Sequence, residues 1–277
     1  QICFHFKSLQ GNQDKGIGID DVKIFGKRAS TTDDDFDNDG LSNTLEYYTF
    51  HSSVFESDTD ADSISDYDEV TEKVFNSINV YSFLSSSAEI GKRDIFIEID
   101  SMIDINGEMA LDGQMKSSFN TIVNVFEDHN INLHLYYDQI STAINDHIPY
   151  QSSVGPPELD TIRDSNIPSS NDKYFQNDHR GKYHYCIVAN EVVDNGNDWV
   201  HGITWEGISR SSFALNGDSL GAPQSPERSS VVFMHELGHT FSFNPIPGHD
   251  QNSKNPLQIG WWINRPYKSC MNYGWIF

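Results

Sequence analysis

The segment from His235 to His239 carries the residues best suited to chemistry in this chain. Its sequence is His-Glu-Leu-Gly-His, so two imidazoles stand four residues apart. On a helix this spacing puts both rings on one face, within reach of a single metal ion. Glu236 lies beside them, placed to take a proton from a water molecule that a zinc ion activates. The pattern predicts a zinc-binding helix whose start is capped by Ser229 or Ser230.

A second motif, Ser269-Cys270-Met271-Asn272-Tyr273, follows downstream, and with it the region from about 93 to 277 resembles a metzincin-type zinc metalloprotease. The resemblance implies an α/β (α+β) fold with a mixed sheet and an active-site helix. It also implies that Met271 forms a hydrophobic floor beneath the zinc, and that Tyr273 ligates the metal or stabilises the transition state. The segments that carry it are Asp94–Asp100, Tyr185–Ile187, Gly207–Arg210, Met234–Thr240 and Ser269–Tyr273.

The third zinc ligand is where the chain departs from that family. Metzincins continue the helix motif as H-E-x-x-H-x-x-G-x-x-H/D, but here Ser242 takes the glycine position and Pro245, which cannot bind zinc, takes the ligand position. We predict that a short insertion moves the ligand to His249, with Gly248 making the turn that Ser242 cannot make. Asp250 is the alternative ligand. A site that has lost its third ligand is the remaining alternative.

Two acidic loops of identical spacing precede this region. Each combines alternate carboxylates, a turn residue (Gly40 in the first, Ser63 in the second), a carbonyl donor and a closing glutamate. Such oxygens converge on one hard cation, which predicts Ca²⁺. The tandem resembles the calcium-binding repeats of thrombospondin type 3 and of related bacterial and archaeal surface proteins; the alternative is a solvated acidic linker. The predicted calcium ligands are Asp35, Asp37, Asp39, Leu41, Asn43 and Glu46 in the first loop, and Asp58, Asp60, Asp62, Ile64, Asp66 and Glu69 in the second.

The charge of the chain is strongly negative and unevenly distributed. The formal charge is −23, from 41 acidic and 18 basic residues, so nucleic acid is not an expected partner. Residues 31–70 hold 13 acidic side chains and no Lys or Arg, so this segment must bind cations or stay extended by repulsion. No apolar run approaches the roughly 18 residues that span a bilayer. No secretory leader opens the chain, so we expect any such signal to lie upstream or to have been removed.

The predicted organisation has four parts. Residues 1–30 form the last strand of a β-sandwich module or an edge strand of the main domain, 31–75 the tandem calcium repeats, 76–92 a linker and 93–277 the peptidase domain. Strands are predicted at Asp94–Asp100, Ile131–Tyr137 and Tyr183–Val193, with a helix over about 112–129. Residues 139–182 are predicted to be a functional loop or an insertion. Residues 202–217 are predicted to supply an edge strand beside which a peptide lies.

The remaining histidines and cysteines are expected to be structural or superficial. Cys186 and Cys270 either form a disulfide or are separate thiols, together with Cys3. Trp261 and Trp262 are expected in the core or a pocket wall. His134 and His184 are expected to be hydrogen-bonded within strands, and the surface histidines are expected to be His5, His51, His129, His147, His179 and His201.

These features together predict a secreted or cell-surface zinc endopeptidase with calcium-stabilised repeats. Its substrate would be a peptide or protein, and an upstream module would attach it to a cell surface or polymer. The main alternative is an inactive metallopeptidase fold that serves as a calcium-stabilised binding or structural module. A zinc hydrolase that acts on something other than peptides is a third reading.

Overall fold

The computed structural model describes residues 34–75, 88–137, 147–167, 173–175, 179–194, 198–204, 211–220, 225–243, 246–249 and 253–276. The predictions for residues 1–30, including Cys3 and His5, lie outside these ranges, as do those for residues 76–87 of the linker. Among the described helices, none has the length and apolar character needed to cross a bilayer.

A five-stranded mixed sheet forms the centre of the molecule, as predicted. Its order is β2-β1-β3-β7-β6, with parallel pairing throughout except for the antiparallel edge strand β6. Strands β4 and β5 form a separate antiparallel pair. The bounds are β1 Arg93–Ser101, β2 Ile131–Tyr137, β3 Tyr183–Ala189, β4 Val192–Val193, β5 Trp199–Val200, β6 Gly202–Thr204 and β7 Ser212–Asn216.

Two long helices cover one face of this sheet, and a shorter helix contributes Leu159 and Ile162 to the apolar cluster on the other face. The predicted helix over about 112–129 is present as α3, and the longest helix after the sheet, α6, carries the His-Glu-Leu-Gly-His segment. A short π-helix, Glu46–Phe50, continues α1. The bounds are α1 Asn43–Leu45, α2 Asp66–Phe75, α3 Gly113–Glu127, α4 Pro156–Arg163, α5 Gly217–Leu220, α6 Pro226–Thr240, α7 Ile259–Asn264 and α8 Tyr273–Ile276.

Strand β1 is buried on both faces although its sequence alternates between apolar and polar residues. Ile97 and Ile99 pack among the side chains of α3 and α6 in one apolar cluster. The acidic residues of the other face are also buried, because each carboxylate has a hydrogen-bonding partner. Oε2 of Glu98 lies 2.7 Å from Nδ1 of His179, at hydrogen-bond distance. The prediction that His179 lies on the surface is therefore wrong: its imidazole is buried beside a carboxylate.

The two acidic loops have the same backbone conformation, displaced by 23 residues. Gly40 and Ser63 both have positive φ angles, +107° and +78°, as do Asn38 and Ala61 at 61° and 62°. The loop-closing bond from the ninth position recurs as well, with Asn43 N–H donating to the carbonyl of residue 34 and Asp66 N–H to that of residue 57. The second loop thus adopts the left-handed turn without a glycine, at the cost in strain that this region of φ imposes on a side chain.

Candidate metal centre

Helix α6 brings the first two histidines and the glutamate together. It begins at Pro226, where a missing N–H costs nothing, and Ser225 occupies the N-cap position. The predicted caps Ser229 and Ser230 are therefore wrong, since the helix starts a full turn earlier. The hydroxyl of Ser229 instead donates to the carbonyl of Leu220 at 2.6 Å, which joins α6 to the end of α5.

Three imidazoles converge at the end of this helix. Nε2 of His235 lies 3.1 Å from Nε2 of His239 and 3.2 Å from Nε2 of His249. Four tetrahedral ligands at the usual zinc–nitrogen distance of about 2.05 Å would stand about 3.3 Å apart, so the spacing fits one zinc ion. The three histidines form one of the metal-competent clusters among the described residues.

The protonation state of these rings also suits a metal. Nδ1 of His235 lies 2.8 Å from the carbonyl oxygen of Cys270, to which it donates. That bond leaves the Nε2 lone pair free to face the ion, as in most histidine ligands. Burial lowers the pKa of His235 to about 3 and that of His239 to about 4, so both rings are neutral at pH 7.

Two left-handed residues carry the chain from the helix to the third histidine. Ser242 has a φ angle of +61° directly after the helix, so the expectation that it could not make this turn is wrong. Gly248 makes a second turn at +86°, immediately before His249. A Cβ atom there would lie 2.4 Å from Oδ1 of Asn272, so glycine is required by space as well as by φ. Asp250, the alternative ligand, lies outside the described residues.

Glu236 lies beside the three imidazoles and is held by the edge strand β6. Its Oε2 accepts a hydrogen bond from the hydroxyl of Thr204 at 2.7 Å. Gly202 of the same strand lies so close that a Cβ atom there would meet Cγ of Glu236 at 2.7 Å. Burial raises the pKa of Glu236 to about 7. Thr204 was not identified from the sequence, because a threonine in a short strand carries no signal of its partner.

Met271 and Tyr273 both pack against residues of the metal-binding helix. Met271 is buried, and its sulfur would be 2.6 Å from a Cβ atom at Gly238, so the glycine of the helix motif leaves room for the methionine. The ring of Tyr273 contacts those of His235 and His249, with centroids 5.6 and 4.4 Å away. Burial raises the pKa of Tyr273, so its hydroxyl keeps its proton.

Three acidic clusters among the described residues include seven of the predicted calcium ligands, whereas Glu46 and Asp66 belong to none of the three. Carboxylate oxygens of Asp35, Asp37 and Asp39 lie within 4.8 Å of one another, as do those of Asp58, Asp60 and Asp62. A third cluster joins Asp62 and Glu69 to Asp94 of β1. Burial raises the pKa of Glu69 to about 9, and that of Glu46, whose two oxygens are buried without a partner, to about 7. The backbone N–H groups of Leu41 and Ile64 donate to Asp39 and Asp62.

The other expectations have mixed outcomes. Cys186 and Cys270 are free thiols, which is the second of the two alternatives that the sequence left open. His134 is hydrogen-bonded as expected, with Nε2 2.5 Å from Oδ1 of Asp94. His201 is half-buried and contacts Ser219 and Arg228. Trp262 is 63% exposed, which excludes it from the core.

Substitution of Thr204 tests whether it positions the glutamate. We expect Thr204→Val to lower kcat about tenfold with little change in KM, since partners of this kind are worth about 10- to 100-fold. Thr204→Ser keeps a hydroxyl and should retain most of the activity. Steady-state kinetics and zinc content of both variants provide the measurement, and a wild-type kcat in Thr204→Val would exclude the positioning role.

Comparison with known proteins supports a peptidase at the level of family. The sequence profile described as metallo-peptidase family M12B, Reprolysin-like, matches residues 113–244, a range that includes His235, Glu236 and His239 and ends before His249. This match supports a zinc-dependent metallopeptidase. No curated protein matches the chain. A solved structure, archaemetzincin from Methanopyrus kandleri, is 14% identical and covers 64% of this chain and 89% of its own, but with a TM-score of 0.36 it adds nothing to the assignment.

Proposed function

We propose that this chain is a zinc-dependent endopeptidase in which His235, His239 and His249 hold the metal. The observation that carries the proposal is the convergence of three Nε2 atoms, spaced 3.1 and 3.2 Å from the central one, beside a buried glutamate. A chance histidine pair on a helix would not explain the third imidazole, which comes from a separate turn. The family match over the helix supports the same chemistry.

The chain's own groups supply proton transfer and orientation. When bound, zinc polarises the scissile carbonyl and lowers the pKa of water towards ~7. Glu236 takes the proton of the attacking water and delivers it to the leaving amine, a role suited to a carboxyl whose pKa lies near 7. Thr204 holds that carboxylate in position. Tyr273, protonated and in contact with two of the imidazole rings, donates to the oxyanion as charge develops.

The substrate backbone lies along β6 in this proposal. β6 is an edge strand of the sheet, antiparallel to its neighbour, and Thr204 and Gly202 bring it directly against Glu236. An extended peptide added to this edge would be held by main-chain hydrogen bonds without being read for sequence. Its scissile bond would then reach the glutamate, which favours an endopeptidase that accepts internal bonds.

Calcium in the acidic loops and an extracellular setting form the second part of the proposal. The two loops share their turn dihedrals and their side-chain-to-backbone bonds, as expected of two copies of one cation-binding loop. Both closing glutamates are buried with at least one oxygen unpaired, which a cation would correct. Modest calcium sites of this kind suit the high calcium concentration outside cells.

The test combines metal analysis with cleavage of a mixed peptide library. We expect close to one zinc per chain and cleavage of internal peptide bonds, both lost after treatment with a zinc chelator and restored by added zinc. Zinc without cleavage of any peptide would favour the alternative of an inactive metallopeptidase fold. A protein that contains no zinc and cleaves no peptide would overturn the assignment.

A further inference from the structure

The second acidic loop, residues 57–66, packs against the five-stranded sheet. Ile64, at its centre, is 4% exposed and lies in the apolar cluster that includes Phe96 of β1. The backbone N–H of Asp94 donates to Oδ2 of Asp62 at 2.7 Å, and Nε of Arg93 donates to the carbonyl of Asp60 at 3.1 Å. The loop and the first strand of the sheet are therefore in direct polar and apolar contact.

This contact brings a carboxylate of the sheet into the cation-binding cluster. One oxygen each of Asp62, Glu69 and Asp94 lies within 4.8 Å of the other two. Glu69 and Asp94 are only 1% and 4% exposed, and Oε1 of Glu69 is buried without a hydrogen-bond partner. Within the described residues, no Lys or Arg forms an ion pair with any of the three; the recorded pair is that of Asp94 with His134. Two buried carboxylates and the half-buried one of Asp62, this close together, need a cation to be stable in their charged form.

One of the loop's own predicted ligands is engaged elsewhere. Both oxygens of Asp66 accept hydrogen bonds from Thr59, one from its backbone N–H at 2.8 Å and one from its hydroxyl at 2.7 Å. Asp66 thus fastens the loop to its own helix. Asp94 offers a further carboxylate from a different element; its Oδ1 faces Nε2 of His134 and its Oδ2 accepts from the backbone N–H of Glu89, so each oxygen has a second lone pair left for a cation. Both oxygens of Asp60 are buried without a side-chain hydrogen-bond partner.

We infer that Asp94 completes the cation site of the second loop, so that one Ca²⁺ ion joins this loop to β1 of the five-stranded sheet. The cluster offers carboxylate oxygens, which suit a hard cation with six to eight oxygen ligands. The inference rests on the proposed binding of calcium by these loops, and it assigns the second ion to the junction with the sheet instead of to the loop alone. Calcium would then fix the position of β1 and of the sheet that carries the active site.

The experiment is a calcium titration by calorimetry on the full, zinc-loaded chain in which Asp35→Asn, Asp37→Asn, Asp39→Asn and Glu46→Gln remove the acidic ligands of the first loop, so that binding by the second loop is measured. We expect one ion to bind, and Asp94→Asn to weaken its binding by about tenfold or more, since affinity follows the number of charged ligands. Two controls separate the loss of a calcium ligand from a loss of structure. Asp100→Asn removes another buried carboxylate of β1. His134→Gln removes the imidazole that contacts Asp94 and leaves the Asp94 carboxylate charged. Both should bind calcium as before.

Hydrogen exchange provides a measurement that does not need a variant. In the wild type, calcium should slow exchange of amides in both residues 57–66 and β1; protection confined to residues 57–66 would overturn the inference. Unchanged calcium affinity in Asp94→Asn, or equal weakening in His134→Gln, would overturn it as well. A wild type that binds no calcium would instead remove the calcium proposal on which it rests, leaving the zinc peptidase intact. Zinc content shows that each variant is folded.

Discussion

Replacing Glu236 by glutamine is expected to lower kcat/KM by about 1,000-fold while zinc remains bound at one per chain. The amide keeps the size of the side chain and can still accept the hydrogen bond from Thr204, so the helix and the edge strand should remain as they are. It cannot take a proton from water at neutral pH, and general acid–base groups contribute about 10²- to 10⁴-fold to such reactions. The loss should therefore appear in kcat.

The measurement is cleavage of one defined peptide, identified from the library, together with the zinc content of each preparation. Glu127→Gln, an exposed glutamate at the end of α3, is the matched control and should have wild-type activity. A Glu236→Gln variant that cleaves at the wild-type rate would show that another group acts as the base. A variant that has lost zinc would place Glu236 among the groups that maintain the metal site.

The elements around the site could be predicted because their periodicity is strong. The strand Ile131–Tyr137 has the bounds that alternation gave, and the helix over about 112–129 differs from Gly113–Glu127 by one or two residues. The strand predicted at Tyr183–Val193 is split, since β3 ends at Ala189 and β4 begins at Val192. Periodicity reflects the directions of side chains over several residues. It therefore predicts where a helix or strand lies more accurately than the residue at which it ends.

Partners across the sheet could not be predicted from the sequence. Alternation in β1 is typical of a strand with one solvent-exposed and one buried face. Glu98 is nevertheless fully buried, because His179, 81 residues away in the sequence, pairs with its carboxylate. Thr204 and the carbonyl of Cys270 hold Glu236 and His235 in the same non-local way. Such bonds depend on which strands become neighbours, and a single sequence carries little information about that. Ser242 illustrates a local limit, because its left-handed conformation is one that residue preferences disfavour.

Replacing His249 by alanine is expected to weaken zinc binding by more than 100-fold and to abolish cleavage. Its Nε2 lies 3.2 Å from that of His235, so its removal leaves two imidazoles from one helix. Loss of an indirect partner of a ligand already costs about 10- to 100-fold in metal affinity, and loss of a ligand should cost more. The apparent zinc affinity, measured by competition with a chromophoric chelator, is the direct test.

Comparison with Asp250→Ala separates the two ligands that the sequence left open. If His249 is the ligand, Asp250→Ala should retain zinc, as should His129→Ala, which removes an exposed histidine two residues beyond the end of α3. Full zinc retention in His249→Ala with loss in Asp250→Ala would exchange the two assignments. Retention in both would mean that two histidines suffice to hold the metal, and the site would then resemble that of an inactive relative. The geometry supports the histidine, because its Nε2 lies 3.2 Å from that of His235.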